Sequence, residues 1–362
     1  MEPPPFLPEE LRLEILSWLP VKSLVRFRCV SHSWKSTISD SQFIKLHLHR
    51  SSSTRKADFA HLRSLINSPW ESRSATTVAV PDEYDFGGTC NGLICLFTLL
   101  KYDIENHEFS YLFRLWNPAT RSMSQYSPPL RFTRPCYFGF GYDSSTDTYK
   151  VVVVTLQRNG VRTVNVYNKG DTCWRTIQVS HLPFMYPQGR VVYVSNTLNW
   201  LAIRPDVDEN DRAQLINSYT ILTFDLGKEN CAQLSLPYFT RLSVRFIPIL
   251  GVLRGCLCIS LMDTKMSFMI WQMKEFGVCD SWTMLLNITL SESIFQNINL
   301  WPDFAMYMSN NGDALLISKS CQTAPYALLY TQKENKLEVT GIANDIVDCY
   351  AHNYIESLVP PC

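Results

Sequence analysis

The chain carries no charge surplus of either sign: Lys plus Arg and Asp plus Glu both number 33 in 362 residues. A protein that works along a phosphate backbone carries a basic excess, so nucleic-acid binding is disfavoured. No apolar run approaches the ~18 residues of a membrane-spanning helix, so no membrane segment is expected. The opening Met1-Glu2-Pro3-Pro4-Pro5 has neither the basic nor the apolar region of a signal peptide. The twelve cysteines include no C-x-x-C pair. They are read in a reducing compartment, where Cys256 and Cys258, two apart in an apolar run, are expected to be buried, inert thiols, and a cytoplasmic and/or nuclear location is the expectation. The chain also lacks G-x-S-x-G, G-x-x-x-x-G-K-[ST] and H-E-x-x-H, and its seven histidines are scattered. His47-x-His49 has no matching Cys, Asp or Glu ligands. The acidic stretch from Asp206 puts Asp211 where a calcium loop requires glycine. No cofactor, no metal and no catalysis are therefore expected.

What is present divides into two parts. Hydrophobic residues make up 46% and aromatics 12%, a composition that folds and suits sheet surfaces. Residues 7–48 read as helices. Pro8 fits a first helical turn, Glu9 and Glu10 complement its dipole, and Pro20 ends it. Two apolar stripes run along this helix, one with Leu7, Leu11, Ile15 and Trp18, the other with Leu13, Leu16 and Leu19. A second helix is predicted over roughly 21–30, and Ser31 is the predicted N-cap of a third carrying Trp34 and Ile38. So small a domain cannot bury two stripes in its own core, which implies either a partner surface or cover from the rest of the chain.

The segment L-P-x-E-L-x-x-E-I-L-x-x-L-P-V-K-S-L-x-R-F-R-C-V-S-x-x-W, from Leu7 to Trp34, resembles the F-box of plant F-box proteins. The resemblance implies a three-helix domain that docks on the Skp-family adaptor of an SCF-type ubiquitin ligase and, through it, on the cullin scaffold and RING subunit. The contact positions it implies are Leu7, Pro8, Ile15, Leu16, Leu19, Pro20, Leu24, Val30 and Trp34. Some of these must hold the domain's own core instead. We place the F-box at 5–48, a polar linker at 49–75 and a second domain at 76–360.

In the second domain short β-runs alternate with tight turns. An aromatic followed by polar turn residues recurs at Trp116, Tyr167, Phe224, Trp271 and Tyr330, at intervals of 51, 57, 47 and 59 residues. Repeats of ~50 residues made of strands signal propeller blades. Five four-stranded units can be drawn. The clearest runs through Phe138–Tyr142, Tyr149–Thr155, Arg162–Tyr167 and Cys173–Val179. Leftover pieces at Thr76–Val80 and Tyr354–Val359 would complete a sixth blade by joining the two ends of the chain. N-G-L-I-C-L, L-W-N-P-A-T-R, F-G-F-G-Y-D, L-N-W-L-A and Y-I-E-S-L resemble the plant F-box-associated domain, often labelled F-box/kelch, although the kelch diglycine is missing at most turns. The expected fold is therefore a multidomain α plus all-β chain: a three-helix F-box followed by a β-propeller-like domain with five visible blades and six in all.

In such a blade the first-to-second and third-to-fourth turns emerge on one face and the other connections on the opposite face. The first class is short here, as at Asn91-Gly92 and Arg254-Gly255. The second is long, as at 99–110, 127–137, 180–190, 204–218, 237–246 and 289–303. Long loops on a rigid scaffold are where recognition is built. Candidate target-binding residues on them are Arg131, Arg134, Tyr186, Asp206, Asp208, Phe239, Arg241, Arg245, Phe295 and Trp301, mostly of types enriched in interface hot spots. The expected function is that of a non-catalytic target-recognition subunit. The alternative is a glycan- or small-ligand-binding propeller whose F-box governs its own turnover.

Overall fold

A computed structural model describes residues 8–54, 58–62, 80–81, 83–132, 136–156, 162–179, 184–185, 191–203, 216–239, 244, 247–289, 301–308, 314–319, 326–334, 336–340 and 350–361. The N-terminal part holds α1 (Glu9–Ser17), α2 (Val21–Phe27), α3 (His32–Ser39) and α4 (Ser41–Thr54). Pro8 and Pro20 sit at the N-caps of α1 and α2. Ser31 caps α3 as its sequence position predicts, its Oγ accepting the Trp34 N–H at 3.2 Å. Asp40 does the same for α4, accepting the Gln42 and Phe43 N–H groups at 2.9 and 3.1 Å.

The fourth helix corrects the expected boundary. The predicted linker at 49–75 begins inside α4, and it also contains a strand, β1 (Asp58–Leu62). The helix follows from a stripe at four-residue spacing: Phe43, His47 and Ser51 are all buried. His47 Nε2 lies 2.9 Å from the Leu19 carbonyl, which satisfies an otherwise orphaned group near the end of α1.

The rest is antiparallel sheet. The first blade holds β2 (Asp85–Cys90), β3 (Leu93–Asp103), β4 (Glu108–Asn117), β5 (Ser122–Met123) and β6 (Leu130–Phe132). The second holds β7 (Cys136–Asp143), β8 (Thr148–Leu156), β9 (Arg162–Asn168) and β10 (Arg175–Gln178). The third holds β11 (Phe184–Met185), β12 (Val192–Val194), β13 (Thr197–Ile203), β14 (Tyr219–Asp225) and β15 (Asn230–Leu234). Next come β16 (Ile249–Leu253), β17 (Cys256–Met262), β18 (Ser267–Met273) and β19 (Trp282–Thr289), then β20 (Trp301–Met308), β21 (Ala314–Lys319), β22 (Tyr326–Thr331) and β23 (Lys336–Thr340). The last strand, β24 (Tyr350–Tyr354), pairs with β1 from Asp58↔Tyr354 to Leu62↔Tyr350.

The sheets meet edge-inward in a closed circuit. Strand β24 touches β2, β2 touches β7, β7 touches β12 and β13, these touch β16, β16 touches β20, and β20 returns to β24. Among the described residues this is a propeller-like ring of five full blades and a sixth, made by the two ends of the domain, in which two strands are described. The sixth blade contains an unexpected strand, β1, paired with β24, while 76–79 of the expected piece lie outside the described residues. Tyr354 ends β24, and the run predicted as strand beyond it is a tail without strand pairing.

Burial follows position in the ring. In β13 all seven residues are buried, whereas outer strand β15 is largely exposed. Strands pressed between neighbouring blades read as unbroken apolar runs, as in Val151-Val152-Val153-Val154. The alternation Phe138-Gly139-Phe140-Gly141 has a specific cause. A Cβ on Gly139 would meet Leu198 at 2.8 Å, and one on Gly141 would meet Tyr193 at 2.5 Å, so β7 lies directly against the third blade. Its phenylalanines point the other way, where Phe138 stacks on Phe97 at 4.7 Å.

One ion network ties the second blade to the third. Lys150, on β8, is buried and places Nζ 2.9 Å from Asp143, 2.8 Å from Glu229 and 2.7 Å from the Leu226 carbonyl. Arg175 closes a two-pronged contact on Glu229 at 2.6 and 2.7 Å. Burial acts to raise the Asp143 pKa, but hydrogen bonds from Ser145 and Thr146 and the Lys150 ammonium outweigh it and hold the carboxyl well below its ordinary range. Glu229 is also lowered, its burial outweighed by Arg175 and Lys150. Both carboxyls therefore stabilise the fold above the ordinary carboxylate range, and that contribution is lost progressively as pH falls from about 4 toward their lowered values in the folded chain. Unfolding free energies measured in urea should accordingly decline from pH 5 to pH 3.

Candidate partner-binding surfaces

The α1 helix has two apolar faces with different fates. Leu16 is buried, as are Val21 and Leu24 on α2 and Ile38 on α3, and together with Phe43 and Ile44 they fill the helical core. Leu13, Leu19, Val25, Phe27 and Trp34 are half-buried around it, with Trp34 edge-on to Phe27 at 5.2 Å. On the other face Leu11, Ile15 and Trp18 are 52%, 53% and 51% exposed, and Val30 is 62% exposed. Pro8 and Pro20 are exposed beside them.

This distribution divides the expected adaptor contacts. Ile15, Val30, Pro8 and Pro20 are available to a partner, and Leu19 and Trp34 are partly so. Leu16 and Leu24 are not: α4 lands on that side of the bundle and turns them into its core. Leu7 lies outside the described residues. Leu11 and Trp18 join the exposed face, and the sequence signal for them was the Leu11, Ile15, Trp18 stripe itself.

Trp18 is held in place. The Arg50 guanidinium sits 4.8 Å from the centre of its ring. Glu14 accepts from Trp18 Nε1 at 3.1 Å and from Arg50 at 2.6 Å. Those two hydrogen bonds, Arg50 first, lower the Glu14 pKa. Arg50 also donates to Ser17 Oγ. The end of α4 thus sets the orientation of the exposed face of α1.

The helices sit on the side of the ring that carries its short turns. Lys45 Nζ meets Asp147 at 2.6 Å in the β7–β8 turn, and Tyr142 donates to the same carboxylate. A single buried cluster runs from Leu16 and Ile44 to Cys90, Leu93, Tyr149 and Leu358.

Most of the expected target-binding residues, namely Arg134, Tyr186, Asp206, Asp208, Arg241, Arg245 and Phe295, lie outside the described residues. Trp301 opens β20. Arg131 is exposed on β6, between the buried Leu130 and Phe132. Phe239 is a correction: it is buried edge-on against Trp271 at 5.2 Å, anchoring its loop to the core. The stretch 99–110 is also not a loop. Strands β3 and β4 extend through it as a hairpin whose Leu99, Leu100, Tyr102 and Ile104 are exposed. Among the described residues no three His, Cys, Asp or Glu side chains come together as a metal site. The fully buried thiols of Cys90 and Cys95 are pushed up by burial, away from reactivity.

The class of fold is a helical domain with an open apolar face, set on a ring of β-blades. The comparisons name the family. Residues 5–46 match the F-box domain, and residues 66–361 match the F-box associated beta propeller domain. The chain belongs to the plant F-box proteins that carry this propeller. It is 30% identical over 351 residues to the F-box/kelch-repeat protein At3g23880 of Arabidopsis thaliana, covering 84% of this chain and 88% of that one. It is 26% identical over 328 residues to F-box protein CPR1 of the same plant, covering 80% and 74%. Among solved structures, a fucose-specific lectin from Aleuria aurantia aligns at 8% identity with a TM-score of 0.39, covering 73% and 78%. That likeness is too distant to bear on ligands.

Proposed function

We propose that this chain is a non-catalytic, target-selecting subunit of an SCF-type ubiquitin ligase. The F-box face seats on a Skp-family adaptor and, through it, on the cullin scaffold and RING subunit. The propeller face opposite the helices holds a target protein. Its contribution to ubiquitination is proximity: it raises the effective concentration of target lysines near a charged enzyme. We place it in the cytoplasm and/or nucleus, with neither nucleic acid nor membrane as a partner.

The observation that carries this reading is the exposed stripe of Leu11, Ile15 and Trp18 beside Val30, on a bundle whose core is already filled by other residues. Such a patch is a protein-docking face. A charge placed on it separates docking from folding. Ile15→Asp should leave the helical circular dichroism and urea midpoint of the chain unchanged. It should weaken adaptor binding by at least about 2 kcal/mol, roughly 30-fold, as for a central apolar anchor. Leu16→Ala should instead destabilise the F-box by about 2–5 kcal/mol, because it empties a buried site. Adaptor titration by calorimetry, run beside urea unfolding, checks both outcomes.

A further inference from the structure

Strand β3 begins at Leu93, in the buried cluster it shares with Leu16 and Ile44. It runs 11 residues to Asp103, so its hairpin end lies roughly 30 Å from that cluster. Strand β2 accompanies it only as far as Asp85↔Phe97. There the chain turns, the Tyr84 N–H donating to the Pro81 carbonyl, and Val80 and Tyr84 pack inward with Ile94 and Leu96. On the other side of the hairpin, β6 covers β4 along Phe109, Ser110 and Tyr111. Among the described residues, therefore, no strand pairs with the outer side of β3 from Thr98 to Asp103. In an antiparallel strand every second residue turns its N–H and C=O to that side.

Two features set this edge apart from a frayed strand end. The first is stiffness. Tyr102 packs on Phe109 at 4.6 Å, Phe109 on Tyr111 at 6.2 Å and Tyr111 on Phe132 at 5.3 Å. The Tyr102 hydroxyl also meets His107 Nδ1 at 3.1 Å. The second is a bulge between Leu99 and Lys101. Leu99 and Tyr102 are three apart, which in a regular strand puts side chains on opposite faces. The extra residue sets Leu99 opposite Tyr111 and Tyr102 opposite Phe109, on one face. Leu99, Leu100 and Tyr102 are 47%, 54% and 41% exposed. An open apolar edge is a hazard that folded chains usually cover or charge. Here an aromatic row holds it in place. The charge beside it is mostly of one sign. Glu83 and Asp85 stand exposed where β2 begins, and Asp103 and Glu105 stand at the hairpin tip, with Lys101 between them. Arg131 lies on β6, beyond β4.

We propose that the outer edge of β3 is a strand-addition site for the target protein. It takes an extended segment of about six residues, whose backbone pairs with Thr98–Asp103. The segment's apolar side chains lie against Leu99 and Tyr102, and lysine or arginine at its ends faces the carboxylates. This assignment rests on the reading of the propeller as the target-holding part, and adds where and in what conformation the target is held.

The test adds a fluorescein-labelled peptide of alternating valine and threonine, with two lysines at each end, to the full chain. Anisotropy should show saturable binding. Glutamates in place of the lysines should weaken it about tenfold or more. N-methyl groups on every second backbone nitrogen, on the side that faces β3, should do the same. So should Leu99→Lys, at an exposed site where the urea midpoint stays unchanged, whereas Ile15→Asp should have no effect. A photo-crosslinker at the centre of the peptide should mark residues 98–103. No saturable binding, binding indifferent to N-methylation or to Leu99→Lys, or crosslinks confined to other blades would each overturn the proposal. Self-association of the natural chain that Leu99→Lys abolishes would overturn it too, by giving the edge to a second copy. The adaptor is absent from this assay, so a failure here leaves F-box docking intact, and a failure of adaptor binding leaves this result standing.

Discussion

Lys150→Met should unfold at a markedly lower urea concentration than the natural chain. The substitution removes the ammonium that lies 2.9 Å from Asp143 and 2.8 Å from Glu229, while methionine keeps most of the volume. Asp143 is fully buried, and a buried charge stripped of its partner costs about 3–5 kcal/mol. That is a large share of the ~5–15 kcal/mol by which folded chains are usually stable. Arg175 remains on Glu229, so the loss centres on Asp143. The pH dependence gives a second reading. Without Lys150, the Asp143 pKa rises, so the difference in stability between Lys150→Met and the natural chain should shrink as pH falls below about 4, where the variant's carboxyl takes up a proton and the natural chain, still holding Asp143 ionised, loses its advantage over the protonated unfolded state. The double variant Lys150→Met/Asp143→Asn should recover part of the loss at pH 7. A difference that does not change with pH would assign the effect to lost side-chain contacts rather than to the stranded charge.

Closure of the ring should be nearly as sensitive. After β24 the chain passes beneath the first blade and is latched there. Ser357 is fully buried and donates to the Asn91 carbonyl at 2.7 Å. Asn117 donates to the Ser357 and Val359 carbonyls at 3.0 and 2.7 Å. Gly92 makes the passage possible. Its φ is +78°, and a Cβ there would lie 2.3 Å from Ser357 Oγ and 2.5 Å from the Ile355 carbonyl. Gly92→Ala should combine left-handed backbone strain with a clash, about 2–6 kcal/mol in all. Asn117→Ala should cost about 2–4 kcal/mol by leaving two enclosed carbonyls unpaired. In both variants, hydrogen exchange should quicken first in β1 and β24, the pair that joins the ends of the ring. Protection unchanged in that pair would mean that the tail does not hold the ring closed.

The parts legible in the sequence were those fixed by local chemistry. Proline caps, the Ser31 cap and the Trp34 helix could be placed because each depends on neighbours within four residues. The second blade could be drawn strand by strand because its aromatic and valine runs are bounded by clear turn residues. Helix α4 was hidden because Ser51-Ser52-Ser53-Thr54 has the composition of a linker, and only the buried spacing of Phe43, His47 and Ser51 marks it as helix. The choice between the two faces of α1 was not local. Both stripes are apolar, and only the arrival of α4 decides that Leu16 is core while Leu11, Ile15 and Trp18 stay open. The same reasoning covers Phe239, an aromatic on a predicted loop that serves to pin the loop down. The latch at Gly92 joins positions more than 260 residues apart, beyond any local pattern.

The central claim is that the open face of α1 joins this chain to the adaptor of a ubiquitin ligase. The most direct measurement is co-expression of the full chain with a plant Skp-family adaptor, followed by size-exclusion chromatography coupled to light scattering. The natural chain should elute as a one-to-one complex. Ile15→Asp should elute alone with unchanged circular dichroism. A natural chain that never carries the adaptor, or an Ile15→Asp variant that carries it as fully, would contradict the account.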